Sequence, residues 1–221
     1  MPRFFAAILL LVLAGCASGG STTFSPAAGS SATTGASSSD EAPQQLVSDI
    51  DEPLEPGRYT HEGFTPATSF EVGPGWFGAH LYADFYDVQV DPNTPDVVAV
   101  QLARPSALHT SVIATDDATT AAAAAASLAS NETLEATAAE AVTVGGHDGV
   151  RLTVTARLDA ETPIMEVAEG TLSILADRRL EITFVNLEDG LLAILLGGSV
   201  ADWERAIELG HPVIATLRVG S

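Results

Sequence analysis

The sequence predicts an α+β fold, in which an antiparallel β-sheet carries two or more helices packed on it. Three observations lead to this prediction. Apolar and polar residues alternate strictly from Val150 to Asp159, which is the period of a strand with one buried face. Leu191–Leu196 is apolar throughout, as expected of a central strand covered on both sides. The six consecutive alanines between Thr119 and Ser130 favour a helix.

The chain opens with a short apolar segment that ends just before its only cysteine. Arg3 precedes the run from Phe4 to Ala14, whose length fits the ~7–15 residues of the apolar part of a signal peptide. A spanning helix needs about twenty apolar residues. The run therefore predicts an export signal, and the absence of any further cysteine predicts a domain without disulfides.

Leu13-Ala14-Gly15-Cys16 resembles the lipobox of bacterial lipoproteins. The resemblance implies that residues 1–15 are a signal peptide, that cleavage falls between Gly15 and Cys16, and that the Cys16 thiol carries a diacylglyceryl group. Two acyl chains anchor a protein stably, whereas one binds only marginally. We expect the chain to be exported and held by lipid at the outer face of the cell membrane. The alternative is an ordinary secretory signal with a chance cysteine.

The segment that follows the cysteine has the composition of a tether. Residues 16–45 are dominated by Ser, Thr, Gly and Ala, which cannot bury enough apolar surface to offset the entropy of ordering. We therefore predict a flexible linker over 16–45 and a single globular domain over 46–221.

Within the globular part, turn residues separate segments of strand and helix periodicity. The hairpin turn of the second half is placed at Gly145–Gly149, with His147 and Asp148 as turn residues. The last helix is expected to be capped by Ser199 and ended by Pro212, with residues 213–219 forming a helical turn or a final strand. The predicted elements are strands at Thr68–Val72, Phe85–Val90, Val97–Leu102, Val150–Asp159, Ile164–Val167, Thr171–Leu175, Leu180–Leu187 and Leu191–Leu196, and helices at Thr119–Ser130 and Val200–Leu209.

The order of elements over residues 54–219 resembles a loose group of lipoproteins from high-GC bacteria. The motifs that carry the resemblance are Pro56-Gly57-Arg58-Tyr59, Phe70-Glu71-Val72 with Gly75-Trp76, Val144-Gly145-Gly146, and Asp202-Trp203. The resemblance implies an α/β/α sandwich of the Mog1/PsbP type. An alternative is the curved sheet of lipoprotein carriers similar to LolA or LppX. Neither resemblance assigns a catalytic residue.

Charge excludes one class of partner. The chain has a net charge of −20 and no lysine, so its surface repels nucleic acid. The acidity is typical of a salt-tolerant surface, and the preference for Arg and Ala also fits a high-GC genome. A cationic partner is a further alternative.

Recognised sequence motifs for catalysis and for metal binding are missing from the chain. Gly-x-Ser-x-Gly is absent, and no histidine pair has helical ligand spacing. We therefore predict no metal, no cofactor and no enzymatic activity. The five histidines are His61, His80, His109, His147 and His211.

Aromatic and arginine side chains supply the candidate binding residues. Trp76, Phe77, Tyr82 and Tyr86, with Phe85 beside them, either line a ligand site or belong to the core. Arg151 and Arg157 share the polar face of the alternating strand Val150–Asp159 and are placed to pair with Glu181 on a neighbouring strand. Arg58, Arg104 and Arg151 are the candidate anion contacts.

Three functions are consistent with these observations. The first is a non-enzymatic envelope lipoprotein that binds an unknown small ligand or envelope protein through the sheet or the aromatic region. The second is a carrier or assembly factor for a lipid or apolar molecule, which needs an apolar cavity of several hundred Å³, on a scale of ~300–1,000 Å³. The third is an enzyme, which needs His80, His109 or His147 to meet a carboxylate and a hydroxyl in one pocket.

Overall fold

The computed structural model describes residues 42–110, 113–115, 120–157 and 161–220. The predicted signal peptide, the cleavage site at Gly15 and the lipidation site at Cys16 lie outside the described residues. The strands of the described part are β1 Gln44–Gln45, β2 Gly57–Thr60, β3 Thr68–Val72, β4 Phe77–Leu81, β5 Phe85–Val90, β6 Val98–Ala103, β7 Ala107–Thr110, β8 Ile113–Thr115, β9 Leu134–Ala136, β10 Glu140–Val144, β11 His147–Ala156, β12 Thr162–Val167, β13 Gly170–Ile174, β14 Arg178–Leu187, β15 Gly190–Ser199 and β16 Arg218–Val219. The helices there are α1 Ala121–Ala129 and α2 Trp203–Ala215.

A central antiparallel sheet organises the domain. Its strand order is β10-β11-β14-β15-β6-β5-β4, and β9 pairs with the end of β11. β14 and β15 pair over their full length, from Arg178 opposite Ser199 to Leu187 opposite Gly190. Two smaller sheets have the orders β1-β2-β3-β16 and β13-β12-β7-β8. The antiparallel sheet with two helices confirms the predicted α+β class.

Strand β15 lies in the middle of the central sheet and separates two cores. Successive side chains of a strand point to opposite faces. Leu191, Ala193 and Leu195 accordingly belong to one core, and Leu192, Ile194 and Leu196 belong to the other. All six are buried. The prediction of a central strand covered on both sides is confirmed.

Each core is closed by one helix and one small sheet. On one face, α1 packs against β11 and β14, together with the sheet that contains β7 and β12. On the other face, α2 packs against β15, β6 and β3. The result is a three-layer arrangement with the central sheet in the middle.

The buried face of helix α1 carries mostly small side chains, because three of its four buried residues are alanine. Ala121, Ala124, Ala125 and Leu128 are buried against the sheet. Thr120 caps the helix, since its hydroxyl accepts a hydrogen bond from the Ala123 N–H at 3.2 Å. The prediction of a helix within residues 119–130 is confirmed over Ala121–Ala129.

The turn of the β10–β11 hairpin is shorter than expected. Val144 pairs directly with His147, so the turn consists of Gly145 and Gly146 alone. Both have positive φ, 59° and 87°, which a two-residue type I′ turn requires and glycine adopts without strain. His147 and Asp148 are therefore strand residues, and the prediction that they form the turn is wrong.

Helix α2 differs from the prediction at both ends. It begins at Trp203 with Asp202 as N-cap, while the Ser199 hydroxyl accepts a hydrogen bond from the Asp202 N–H at 3.0 Å outside the helix. Pro212 does not end it, and the helix continues to Ala215. Burial of Gly210 and Val213 on the central sheet offsets the loss of one backbone hydrogen bond at the proline.

Strand boundaries shift slightly elsewhere. The segment predicted as Val97–Leu102 is β6 at Val98–Ala103, and the long alternating strand begins three residues earlier than Val150. β1 lies at Gln44–Gln45, inside the segment predicted as tether, and the adjacent Leu46 is 2% exposed. Neither helix of the described residues combines the length and apolar character needed to cross a membrane.

Candidate functional site

The candidate site is a cleft between the central sheet and α2. On this face α2 packs over β15 and β6, and the neighbouring strands β14, β11 and β10 form the floor of the cleft. Its volume is about 440 Å³, within the ~300–1,000 Å³ range of small-molecule sites. The lining residues are Val142, Thr143, Val144, Gly145, Arg151, Glu181, Thr183, His211, Ile214 and Ala215.

Strand periodicity explains why polar side chains converge there. Arg151 is opposite Thr183 in the register of β11 and β14, and both alternate with core residues. Glu181 lies two residues from Thr183 and therefore shares its face. The polar face of the alternating strand predicted from the sequence is thus the floor of the cleft.

Glu181 is the centre of the ionic contacts in the cleft. Its Oε1 lies 2.9 Å from His211 Nε2 and 3.9 Å from Arg151 Nη1. Arg151 also contacts the exposed carboxylate of Glu140, with Nη2 3.1 Å from Oε2. The predicted Arg151–Glu181 pair is present, although 3.9 Å is beyond hydrogen-bond range and its contribution to stability is small.

Two polar groups on the floor of the cleft make no hydrogen bond within the described part of the chain. One is Oε2 of Glu181, a residue that is only 9% exposed. The other is the hydroxyl of Thr183, a residue that is 4% exposed. Neither atom is among the fully buried unpaired atoms of the described residues, so both are reached from the cleft and can contact a ligand there.

His211 is the cleft residue that sequence reasoning missed. The sequence predicts a helix that ends at Leu209, which leaves His211 outside it, whereas α2 continues to Ala215. In α2, Ile207, His211 and Ile214 follow the i, i+4, i+7 spacing of one helix face. A helix extended past Pro212 would have placed His211 on the face that meets the sheet.

A second cleft lies on the same polar face of β11. It has a volume of about 390 Å³ and is lined in part by Thr153, Thr155, Arg179 and Trp203. The Arg179 guanidinium lies 5.6 Å from the centre of the Trp203 ring, which is a cation–π distance. This contact links β14 to the first turn of α2.

Three histidines contact three different carboxylates. His211 contacts Glu181, His109 contacts Glu166, and His80 contacts Asp87. In the described residues, no group of three or more His, Cys, Asp or Glu side chains is arranged to hold a metal ion.

His109 and Glu166 link strands β7 and β12. His109 Nε2 lies 2.5 Å from Glu166 Oε1, and the Thr171 hydroxyl donates to Glu166 Oε2 at 2.8 Å. The hydrogen bond from His109, with that from Thr171, lowers the pKa of Glu166. The carboxylate lies between the imidazole and the hydroxyl, so the imidazole cannot activate the hydroxyl as it does in a catalytic triad.

His80 lies over a buried carboxylate. Asp87 is fully buried and accepts hydrogen bonds from the His80 N–H and the Gln89 amide, each at 2.7 Å. His80 Nδ1 lies 3.2 Å from Asp87 Oδ1, and this hydrogen bond raises the pKa of His80. The pair joins β4 to β5 and holds the buried charge in place.

The four aromatic residues proposed to line a ligand site fall into two groups, of which one is buried in the core and the other is partly or fully exposed. Trp76 and Tyr86 are buried in the core beneath α2, at 3% and 0% exposure. The Tyr86 hydroxyl lies 2.7 Å from that of Thr68, and burial raises the pKa of Tyr86. Phe77 is half-buried and Tyr82 is exposed. Trp76 and Tyr86 therefore follow the core alternative.

The other arginines considered as anion contacts already have partners. Arg58 pairs with Glu71 at 2.6 Å across β2 and β3. Arg104 pairs with Asp189 at 3.0 Å. Arg157 donates to the backbone carbonyl of Leu134 at 2.6 Å, so the predicted pairing with Glu181 holds for Arg151 but is wrong for Arg157.

Comparison with known proteins yields distant structural similarities. No family model matches the chain, and no curated protein matches it at a significant level. Among solved structures, the chain is similar to the cyanobacterial PsbP protein CyanoP of Synechocystis sp. PCC 6803, with 16% identity and a TM-score of 0.43 over 79% of this chain and 99% of that one.

Two further solved structures are similar at the same level. One is LpqN of Mycobacterium tuberculosis, described as involved in cell envelope biogenesis, with 9% identity and a TM-score of 0.42 over 77% of this chain and 90% of that one. The other is a Bacteroides thetaiotaomicron protein, with 11% identity and a TM-score of 0.41 over 76% of this chain and 50% of that one. At these scores the α+β class rests on the strands and helices themselves.

Proposed function

We propose that this chain is an exported, lipid-anchored envelope protein whose domain binds a small ligand without chemical conversion. The observation that carries the binding function is the cleft of about 440 Å³, where Glu181, Thr183 and His211 converge beside apolar residues. Pockets of this size with a few polar groups are typical ligand sites. The anchor rests on Leu13-Ala14-Gly15-Cys16.

The histidine contacts support a non-enzymatic function. His80, His109 and His211 each pair with a separate carboxylate on different strands. A nucleophile–base pair needs a hydroxyl or thiol at hydrogen-bond distance from the base. None of the contacts of these three histidines in the described residues provides one.

The carrier function has less support from the interior. The apolar space between α2 and the sheet, lined by Phe70, Val88 and Leu217 among others, has a cavity volume of about 0 Å³. A carried acyl chain needs a cavity hundreds of Å³ larger. The polar cleft is therefore preferred as the binding site.

The binding function is tested by closing the cleft. Ala215 lines the cleft and is exposed, so Ala215→Phe fills it without entering the core. The full chain is purified in detergent, and bound small molecules are detected by native mass spectrometry, directly and after incubation with a low-molecular-mass envelope extract. We expect a bound species that Ala215→Phe loses.

Ala141→Phe is the matched control, because Ala141 is exposed on β10 and does not line the cleft. This variant should retain the bound species. The proposal fails if the parent binds nothing, or if both variants bind equally.

The anchor is tested separately by Cys16→Ser. We expect the parent chain to fractionate with membranes and to carry the mass of a diacylglyceryl group on its first residue. The serine variant should lose both properties. Membrane association that is unchanged in Cys16→Ser would contradict the anchor.

A further inference from the structure

We infer that the ligand of the cleft is an organic cation, specifically a primary ammonium group on a short aliphatic stem. This inference rests on the proposed binding function and specifies the chemistry of its ligand. Three features of the described residues lead to it: an unused carboxylate oxygen, the position of the neighbouring guanidinium, and the apolar part of the lining.

The first feature is the Glu181 carboxylate. Glu181 is 9% exposed, and its contacts with His211 and Arg151 both involve Oε1. Oε2 and the Thr183 hydroxyl make no hydrogen bond within the described residues, and both residues line the cleft. An ammonium carries three donors and no acceptor, so it matches a site whose free groups are acceptor oxygens.

The second feature is how charge is distributed around Glu181. Arg151 forms its hydrogen bond with Glu140 at 3.1 Å and remains 3.9 Å from Glu181. His211 Nε2 lies 2.9 Å from the same oxygen, Oε1. The mostly buried carboxylate thus has no hydrogen bond from an arginine in the described residues. A buried charge is normally paired with a hydrogen-bonded group of opposite charge. A ligand ammonium would supply it.

An anionic ligand fits this cleft less well. An anion on Arg151 would lie close to the carboxylates of Glu140 and Glu181, which repel it. The net charge of the chain, −20, also raises the local concentration of cations and lowers that of anions. Both effects favour a cation.

The third feature is the apolar lining, which specifies the stem. Val142 and Val144 on β10 and Ile214 and Ala215 on α2 complete the wall of the cleft. An alkyl chain of a few carbons can cover these side chains while its ammonium reaches Glu181. Each buried methylene adds favourable binding energy, so a stem raises affinity above that of ammonium alone.

The experiment compares three probes of equal length that differ in charge: n-butylammonium, n-butanol and butyrate. The full chain is labelled at the methyl groups of Ile and Val, and chemical shifts are followed by NMR during titration in detergent. We expect butylammonium to shift the methyl signals of Val142, Val144 and Ile214 saturably, and butyrate to leave them unchanged. Butanol should bind at least about tenfold more weakly than butylammonium.

Glu181→Gln removes the charge without changing the shape of the side chain. It should weaken butylammonium binding by about tenfold or more, because a charge-assisted hydrogen bond is lost. Glu71→Gln is the matched control, since Glu71 also forms a cross-strand pair with an arginine, Arg58, away from the cleft. This control should bind butylammonium like the parent.

The outcomes separate the two proposals. Saturable binding of butyrate or butanol with an affinity equal to or above that of butylammonium would overturn the cation inference and leave the cleft as a ligand site. Equal affinity of Glu181→Gln and the parent for butylammonium would also overturn it. If the parent shows a bound species by mass spectrometry but no probe shifts the cleft methyl groups, the cation inference fails alone.

Discussion

Helix α2 and strand β15 approach each other closely where Gly198 faces Ala206. A methyl group built on Gly198 would place its Cβ 2.5 Å from the Cβ of Ala206. Ordinary contacts of such atoms are 3.4–4 Å. Both atoms are fixed to the backbone, so neither can rotate away. The substitution Gly198→Ala therefore forces the helix and the strand apart by about 1 Å, in a core at close-packed density.

The cost follows from this overlap. Overpacking a well-packed core costs typically about 1–3 kcal/mol. Replacing a strand glycine by alanine recovers about 0.5–1 kcal/mol through the entropy of the unfolded chain. Because neither Cβ can move aside, the overpacking cost should lie in the upper part of its range, and we expect Gly198→Ala to lower the free energy of unfolding by about 1–2 kcal/mol.

The assay is equilibrium unfolding in urea, with the midpoint and slope fitted separately. Gly73→Ala is the matched control, because a Cβ on Gly73 meets nothing within 4 Å. It should be neutral or slightly stabilising. Ala206→Gly removes the opposing methyl group, so in the double variant Gly198→Ala/Ala206→Gly the two changes should couple favourably by about 1 kcal/mol. A stability of Gly198→Ala within about 0.5 kcal/mol of the parent, or a coupling of zero, would refute the reasoning.

Three other changes test the fold. Pro212→Ala should raise the free energy of unfolding by about 1–2 kcal/mol. A proline inside a helix costs about 3 kcal/mol, whereas its entropic benefit through the unfolded chain is at most about 1 kcal/mol. An unchanged midpoint of urea unfolding would contradict this prediction. Asp87→Asn should lower the pKa of His80 measured by NMR. In the parent, the raised pKa of His80 gives a stabilisation that is fully present below pH 6.5 and is lost as pH rises through the raised value. This pH dependence of the unfolding free energy should disappear in Asp87→Asn. Glu166→Gln should reduce the loss of unfolding free energy at acid pH. In the parent, the lowered pKa of Glu166 gives a stabilisation that is present above pH 4.5 and is lost as pH falls through the lowered value. If the unfolding free energy of the variant falls as steeply with pH as that of the parent, the result would argue against the His109 contact.

Strands were predictable from the sequence where burial is regular. The alternation after Val150 and the apolar run Leu191–Leu196 lie in β11 and β15, because those segments pair with strands on both sides and their periodicity reflects buried faces. Several short strands were missed, β4 and β7 among them. β4 is a short edge strand with an irregular register, and it mixes Gly78 and His80 with apolar residues. Such strands carry little periodic signal.

The candidate site was only partly predictable. Arg151 and Glu181 could be paired because neighbouring antiparallel strands bring opposite positions together. His211 could not, because its position depends on how far α2 continues past Pro212, and that depends on burial of Val213 against the sheet. Aromatic composition likewise could not separate Trp76 and Tyr86, which are core residues, from residues that line a surface.

The cleft and the core share the same strands at alternate positions. Arg151, Thr153, Glu181 and Thr183 line the two clefts, whereas the residues between them, such as Leu152 and Ile182, fill the core on the opposite face. The cleft residues and the core residues are therefore encoded at odd and even positions of the same two strands. A combinatorial library at the four cleft positions would change the surface of the clefts while the composition of the core stays constant.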